Sequence, residues 1–337
     1  MKFLRITAIA IFLASCAGKT SNTPTVPTAK DFEVPTNLAD QFDVKETTST
    51  PPAPPPPVPV VEVKKPGKKG KTSKAEIMMK NAIAEKKASV PAVIPNRWSM
   101  TPFLQAGERT LLDITYFGAT AGQLELTVLP SKVVSDRLCY HIRAKASSTS
   151  VFSLFYRVND VAESFMDTEG LFSHKYSLKL DESKQQRDVL ELYDHRKKKA
   201  YYWSKLELSD KGVSNEQSEI DLVPFTQDGL SAFFYARTLP LEVGKVFEFP
   251  VVNNGKLRTV RLTVLREETL TTKIGDFPSF VLKPEVVLDG ILQNKGESFL
   301  WISNDAQRRI LKMDAKIKVG SVIGYLREHS YGESPKP

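Results

Sequence analysis

The sequence predicts a mainly β fold: one large antiparallel sheet, long enough to curl into a barrel or split into a sandwich, with one short helix at about 228–237 and a disordered tether before it. Three observations carry this expectation. Apolar and polar residues alternate with period two from about Thr110 to Arg327, the pattern of strands with one dry and one wet face. Turn-forming residues punctuate those runs. The stretch from about Ala17 to Pro95 holds too few large apolar residues to build a core.

The chain opens with Met1-Lys2-Phe3-Leu4-Arg5, a short basic start, followed by an apolar run from Ile6 to Leu13. That run falls well short of the roughly 20 residues needed to span a bilayer, so residues 1–15 read as a secretory signal. Leu13-Ala14-Ser15-Cys16 resembles the lipobox of bacterial lipoproteins. The resemblance implies cleavage before Cys16, diacylation of its thiol and acylation of the new amine. Three acyl chains exceed what stable anchoring requires. Ala17 stands where Asp would favour inner-membrane retention in enteric-type bacteria. The expected location is therefore the outer membrane, with the folded domain in the periplasm.

Residues 16–95 read as a lipid-anchored tether. Pro51 to Pro59 is a proline-rich run suited to stiff polyproline II. Lys64, Lys65, Lys68, Lys69 and Lys71 follow, a self-repelling run of like charge. From Ser73 to Ala88, Ile77, Asn81 and Ala84 stand at helical spacing, a weak amphipathic pattern. The tether is a plain spacer, or its lysines touch the anionic cell-wall polymer or lipid headgroups. The formal charge of the whole chain is +8, and loss of Lys2 and Arg5 with the signal takes it to +6. Basic proteins meet acidic surfaces. For an exported chain nucleic acid is the least accessible of these, and no nucleic-acid partner is expected.

Residues 96–330 read as the antiparallel β domain and 331–337 as a disordered tail. Alternation is plain at Leu112, Ile114 and Tyr116, at Leu124, Leu126 and Val128, at Val260, Leu262 and Val264, and from Leu311 to Val319. Gly118, Asp136, Asp181-Glu182-Ser183, Asp210-Lys211-Gly212 and Asn294-Lys295-Gly296 mark turns. Asn254-Gly255 between two alternating runs signals a tight hairpin. About fourteen strands result. The pattern breaks at Asp228 to Arg237, where Asp228 suits a helix cap, Leu230, Phe233 and Phe234 an apolar stripe, and Arg237 the C-terminal end of the dipole.

Motifs for chemistry are sparse. The sequence has no Gly-x-Ser-x-Gly, no His-Glu-x-x-His, no phosphate-binding glycine loop and no Cys-x-x-Cys. His141, His174, His195 and His329 lack metal-ligand spacing, so no metal and no cofactor is expected. Cys139 sits in a strand pattern as a small apolar residue. His141 shares the polar side of that strand with Cys139 and Arg143, which predicts exposure. Arg196, Lys197, Lys198 and Lys199 form a charged hairpin tip flanked by Tyr193, Tyr201, Tyr202 and Trp203. The tip is either a solvated turn whose aromatics pack inward or a polyanion contact.

Gly107-Glu108, then Ile114-Thr115-Tyr116-Phe117-Gly118 and Ala121-Gly122, resemble the opening of the bacterial domain-of-unknown-function 3108 family. Asp228 to Arg237, Pro240-Leu241-x-x-Gly244, Phe299 to Asp305 with Arg308, and Gly320-Ser321-Val322 extend the likeness. It covers about Gly107 to Arg327. Family members usually carry Pro where Ile310 stands, so Arg309-Ile310 depart from the pattern at a turn. The resemblance implies an envelope-exported, β-rich domain with no established activity, and makes the expected fold one large antiparallel sheet curled into an open barrel or spiral. Asp228, Arg237, Trp301, Asp305 and Arg308 read as architectural residues of this motif or as ligand contacts, with Asp305 and Arg308 placed to pair. The expected function is non-enzymatic: a lipoprotein binding an apolar or lipid-like ligand in its curved domain. The alternative is a scaffold linking the outer membrane to cell wall or to an envelope protein complex. A glycan-active hydrolase comes third, because it needs two carboxylates converging in a cleft.

Overall fold

The computed structural model describes residues 24–47, 104–288, 291–293, 297–317 and 320–332, and its strands form one antiparallel sheet. The first half comprises β1 (Lys45–Glu46), β2 (Arg109–Tyr116), β3 (Ala119–Val134), β4 (Arg137–Ser148), β5 (Asn159–Asp167), β6 (Ser173–Asp181), β7 (Gln185–Asp194), β8 (Lys199–Leu208) and β9 (Gly212–Asp221). The second comprises β10 (Val246–Asn253), β11 (Lys256–Thr272), β12 (Gly275–Leu288), β13 (Ile291–Gln293), β14 (Ser298–Ser303), β15 (Ile310–Lys316) and β16 (Ser321–Ser330). The strand order is β10-β11-β12-β14-β15-β16-β2-β3-β4-β5-β6-β7-β8-β9, with β1 on β3 and β13 on β12. Among the described residues no ladder joins β9 to β10, so the sheet is open, as the resemblance implies. Among the same residues no helix is long and apolar enough to cross a membrane.

Alternation decides which side chains meet. Cross-strand partners such as Leu112 and Leu326, or Phe280 and Ile302, project to the same face. Together with Leu124, Ile142, Ala162, Tyr193 and Tyr202 they build one continuous buried cluster on the inner face. The curl brings the two edges together. Ser218 on β9 donates to the Gly255 carbonyl in the β10–β11 turn, at 3.5 Å. That turn is the tight hairpin expected from Asn254-Gly255, with Asn253 opposite Lys256 and positive φ at both central residues.

The chain between β9 and β10 seals the seam. Thr226 O accepts from Ser173 N on β6 at 3.1 Å, Gln227 N donates to Pro250 O on β10, and Gln227 O accepts from Val252 N, both at 2.9 Å. Gln227 Nε2 reaches Leu171 O at 2.6 Å. The helix that follows spans Ser231–Arg237, three residues shorter at its start than the sequence pattern indicates. Asp228 lies outside the helix, where its carboxylate takes the first free amides from a fixed turn.

The expected tether 16–95 is corrected over residues 24–47. A one-turn 3-10 helix (Ala29–Asp31) and a short helix (Thr36–Gln41) lie across the outer face of β4 to β8, and β1 pairs with β3. Leu38 and Phe42 are buried there with Val134, Cys139, Phe165, Leu190, Leu192 and Trp203. Burying a Leu or Phe side chain contributes about 1.5–3 kcal/mol. The polar composition around these residues hid two apolar anchors spaced four apart on one helical face. This strap explains a second correction: His141, expected to be exposed, is buried, while Cys139 is buried as expected of a small apolar residue. His141 stacks on Phe165 with ring centroids 4.5 Å apart and meets Glu163 at 3.1 Å. Tyr331, assigned to the tail, receives a hydrogen bond from Arg309 and packs beneath its guanidinium. Residues 1–23, including Cys16, and 48–103, including Lys64, Lys65, Lys68, Lys69, Lys71 and the helical pattern from Ser73, lie outside the described residues.

Gly255 sits where the seam is tightest. A Cβ there would lie 2.7 Å from both Ser218 Oγ and Tyr202 Cδ1, at φ +65°. Gly118 has a similar φ of +77° with no atom within 4 Å. Gly118→Ala is therefore expected to cost about 1–2 kcal/mol from backbone conformation alone. Gly255→Ala should cost roughly 1–3 kcal/mol more, because two edges of the sheet must part. Urea unfolding of the two variants checks the order, and equal losses would refute this account of the seam.

Candidate functional site

The two ends of the curled sheet differ. One end carries the turns 135–136, 195–198 and 304–309 together with the helix Ser231–Arg237. The other carries the β2–β3 turn at Phe117-Gly118, the β4–β5 connection with its short helix Ser150–Ser153, and Gly320 before β16.

The motif residues Asp228, Arg237, Asp305 and Arg308 gather at the helix end. Asp228 is fully buried. Its Oδ2 accepts from Ser164 and Ser173 hydroxyls at 2.6 Å each, and its Oδ1 from the Leu230 and Ser231 amides at 2.7 and 2.8 Å. Burial pushes this carboxyl up, and the four donors pull it back. At the other end of the helix, Arg237 donates to the carbonyls of Arg308 (2.8 Å) and Gln307 (3.0 Å) and pairs with Glu108 at 2.7 Å. Burial lowers the Arg237 pKa while Glu108 raises it.

Asp305 caps its own turn, accepting from Ser303 Oγ and from the Gln307 and Arg308 amides. Its ionic partner is Arg309, at 2.8 Å, which corrects the expected pair with Arg308. Arg308 adopts φ +49°, which turns its guanidinium over the Phe280 ring 5.0 Å away. The residue that departs from the family pattern is thus the one that holds the turn.

Trp301 is elsewhere, on the outer face of β14. Its indole donates to Glu268 at 2.6 Å, and Lys312 lies 4.2 Å from the ring. The charged tip is likewise divided. Arg196 and Lys198 are exposed, Lys197 meets buried Asp194, and Lys199 pairs with Glu219 and Asp221 at 2.8 Å each. The flanking aromatics pack: Tyr193 and Tyr202 in the inner core, Trp203 beneath the strap.

The opposite rim carries what the motif search missed. Phe117 is 71% exposed, Val151 69%, Leu154 83% and Phe155 81%. Tyr116 links them, with its ring 4.4 Å from that of Phe117 and 6.4 Å from that of Phe152. The sequence signal was the run Val151-Phe152-Ser153-Leu154-Phe155, a largely apolar stretch where a polar turn belongs. Four exposed large apolar groups on adjoining turns form an interaction patch. Among the described residues no group of three or more His, Cys, Asp or Glu is placed to hold a metal ion.

Two further buried clusters escaped the sequence. On the outer face, Asp167 takes a two-pronged bond from Arg137 at 2.8 and 2.9 Å and one from His174 at 2.9 Å. These partners outweigh burial and hold the Asp167 carboxyl well below its usual range. Burial keeps neighbouring His195 neutral, with its pKa lowered to about 4. On the inner face, burial pushes Glu191 up to about 8, despite the Tyr193 hydroxyl and Gly255 amide that bond it; Asp228 adds repulsion and nearby Arg187 opposes it.

A carboxyl raised in the fold favours the folded state most when protonated. Its contribution is full below the unfolded value near 4.5 and is lost as pH rises through about 8. Glu191→Gln is uncharged throughout. The variant's stability relative to the parent should therefore increase between pH 5 and pH 8 by on the order of a few kcal/mol, then level off. Denaturant titrations at pH 5, 7 and 9 measure this, and a constant difference would contradict the burial of that charge.

Comparison with known proteins places this geometry. No curated protein matches the chain. Among solved structures, a β-barrel-like protein of domain of unknown function DUF1849 from Brucella abortus is 10% identical, with a TM-score of 0.45, covering 68% of this chain and 100% of its own. A protein described as exported, with a YmcC-like fold, from Bacteroides fragilis is 9% identical at a TM-score of 0.25, covering 67% and 97%. One described as a lipoprotein, from Parabacteroides distasonis, is 9% identical at 0.28, covering 68% and 97%. The family described as protein of unknown function (DUF3108) matches residues 112–327, from within β2 to within β16 and including Asp228, Arg237, Asp305 and Arg308, and the chain belongs to that family.

Proposed function

We propose that this chain is a non-enzymatic envelope lipoprotein, acylated at Cys16 in the outer membrane, whose β domain meets an apolar or lipid-like ligand at its rim. The exposed patch of Phe117, Val151, Leu154 and Phe155 carries this reading. Such side chains in water cost free energy that contact with acyl chains recovers. The patch lies at the end away from the helix, so the seam and its buried charges are undisturbed by what binds there. The lipobox-like Leu13-Ala14-Ser15-Cys16 supports the membrane setting. The inner face is packed by the chain's own side chains, which supports the scaffold reading over a ligand held deep inside, with the rim then receiving an envelope protein.

The unacylated Cys16→Ser chain should float with vesicles of phosphatidylethanolamine and phosphatidylglycerol. The triple variant Phe117→Ser, Leu154→Ser, Phe155→Ser should bind them at least about a hundredfold more weakly, given about 1.5–3 kcal/mol per buried side chain. Equal flotation of both chains would exclude the rim as the lipid contact. A parent that neither floats nor carries lipid in native mass spectrometry would transfer the assignment to the scaffold.

A further inference from the structure

We propose that residues 24–46 are an integral strap of the β domain, and that the Pro- and Lys-rich stretch is a loop closed on the domain at both ends rather than a tether. The strap is held along its length. Thr28 and Asp31 form a reciprocal cap, and Phe32, Val34 and Val44 pack around buried Leu38 and Phe42. Gln41 Nε2 donates to Asp194 at 3.2 Å, and Lys175 Nζ to the Phe42 carbonyl at 3.1 Å.

The register of β1 decides the topology. Lys45 and Glu46 oppose Val133 and Lys132 of β3. At Lys132 the other edge of β3 is taken by Cys139 of β4, so β1 lies on the edge that β2 occupies further along. There Gly107 N donates to Val128 O at 2.7 Å, and Arg109 opposes Thr127. Both β1 and β2 run antiparallel to β3. They are two pieces of one strand line, and residues 48–103 are inserted between them. The exit at Lys132 and the return at Val128 are four strand positions apart, about 13 Å.

This topology, which rests on the lipoprotein reading only for its membrane consequence, places the domain close to the bilayer. Only residues 17–23 separate Cys16 from the first described strap residue, Pro24. Fully extended, they reach at most about 28 Å.

The test cuts the loop. A site-specific protease sequence is inserted between Gly67 and Lys68 of the full acylated chain in membranes. After cleavage, the C-terminal fragment should remain in the membrane pellet, held by the strap. Both the parent and the Leu38→Asp, Phe42→Asp variant also carry Phe117→Ser, Leu154→Ser and Phe155→Ser, so that the rim cannot hold the fragment, and the strap variant, cut identically, should lose most of that fragment to the supernatant. In parallel, the two pieces of the cut Cys16→Ser chain should co-elute in gel filtration, an arm that needs neither acylation nor a strap variant. Release of the parent's fragment on cutting, or separate elution of the two pieces, would overturn the strap. An uncut chain found soluble would overturn the acylation instead, leaving the gel-filtration arm to decide the topology.

Discussion

An antiparallel sheet of this length that does not close leaves two edges, and the segment from Leu222 to Arg237 bridges the gap between them here. Unpaired edge amides and carbonyls invite pairing with another chain. In this protein Gln227 bonds Pro250 and Val252 on the β10 edge, and Thr226 bonds Ser173 of β6. The device depends on two buried charges at the ends of a seven-residue helix. Asp228 ties the helix start to β5 and β6 through Ser164 and Ser173. Arg237 ties its end to Glu108 before β2 and to the β14–β15 turn. A buried ion is tolerated only when its hydrogen-bonding capacity is filled. Asp228 has four donors, and Arg237 has two carbonyls and a carboxylate. Removing one partner of such a pair typically costs about 3–5 kcal/mol. The motif residues are therefore bound to one another through the architecture although more than seventy positions separate Asp228 from Asp305.

The strap imposes a second condition. Where residues 29–44 cover β4 to β8, the sheet is dry on both faces. Polar side chains on the covered face cannot rely on water, and they pair with each other: Asp167 with Arg137 and His174, His141 with Glu163. Beyond the strap, Glu268 and Lys312 cover buried Trp301 on the same face. The single sheet thus has a two-layer half and a three-layer half, and the difference comes from a short segment far from the domain in sequence.

Function divides along the same axis. The helix end is committed to holding the fold, since each of its motif groups is engaged within it. The rim end carries large apolar groups in water, a cost that stability alone does not explain. Strap and rim together give a domain with one face covered and, at one end, a cluster of exposed apolar side chains.

Period-two alternation, turn residues and the break at Asp228 to Arg237 were enough to determine an antiparallel β fold with one helix, because side-chain direction in a strand follows from local geometry; that the sheet stays open came from the family resemblance. The Asn254-Gly255 hairpin was legible for the same reason: two successive positive φ values demand those residue types. The family motif was legible as a string of residue types. Its partners were not, and Arg309 rather than Arg308 holds Asp305 because a positive φ at Arg308 turns that side chain aside. The strap was hidden because Leu38 and Phe42 are two apolar residues in a polar stretch, and only the dry face of β4 to β8 makes them anchors. Long-range burial likewise decided which alternating face stayed wet, raised Glu191 and buried His141. The sequence by itself determined the strands and their turns, which depend on neighbours along the chain; the tertiary structure decided the seam, the strap and the rim, which depend on what the curl of the sheet brings together.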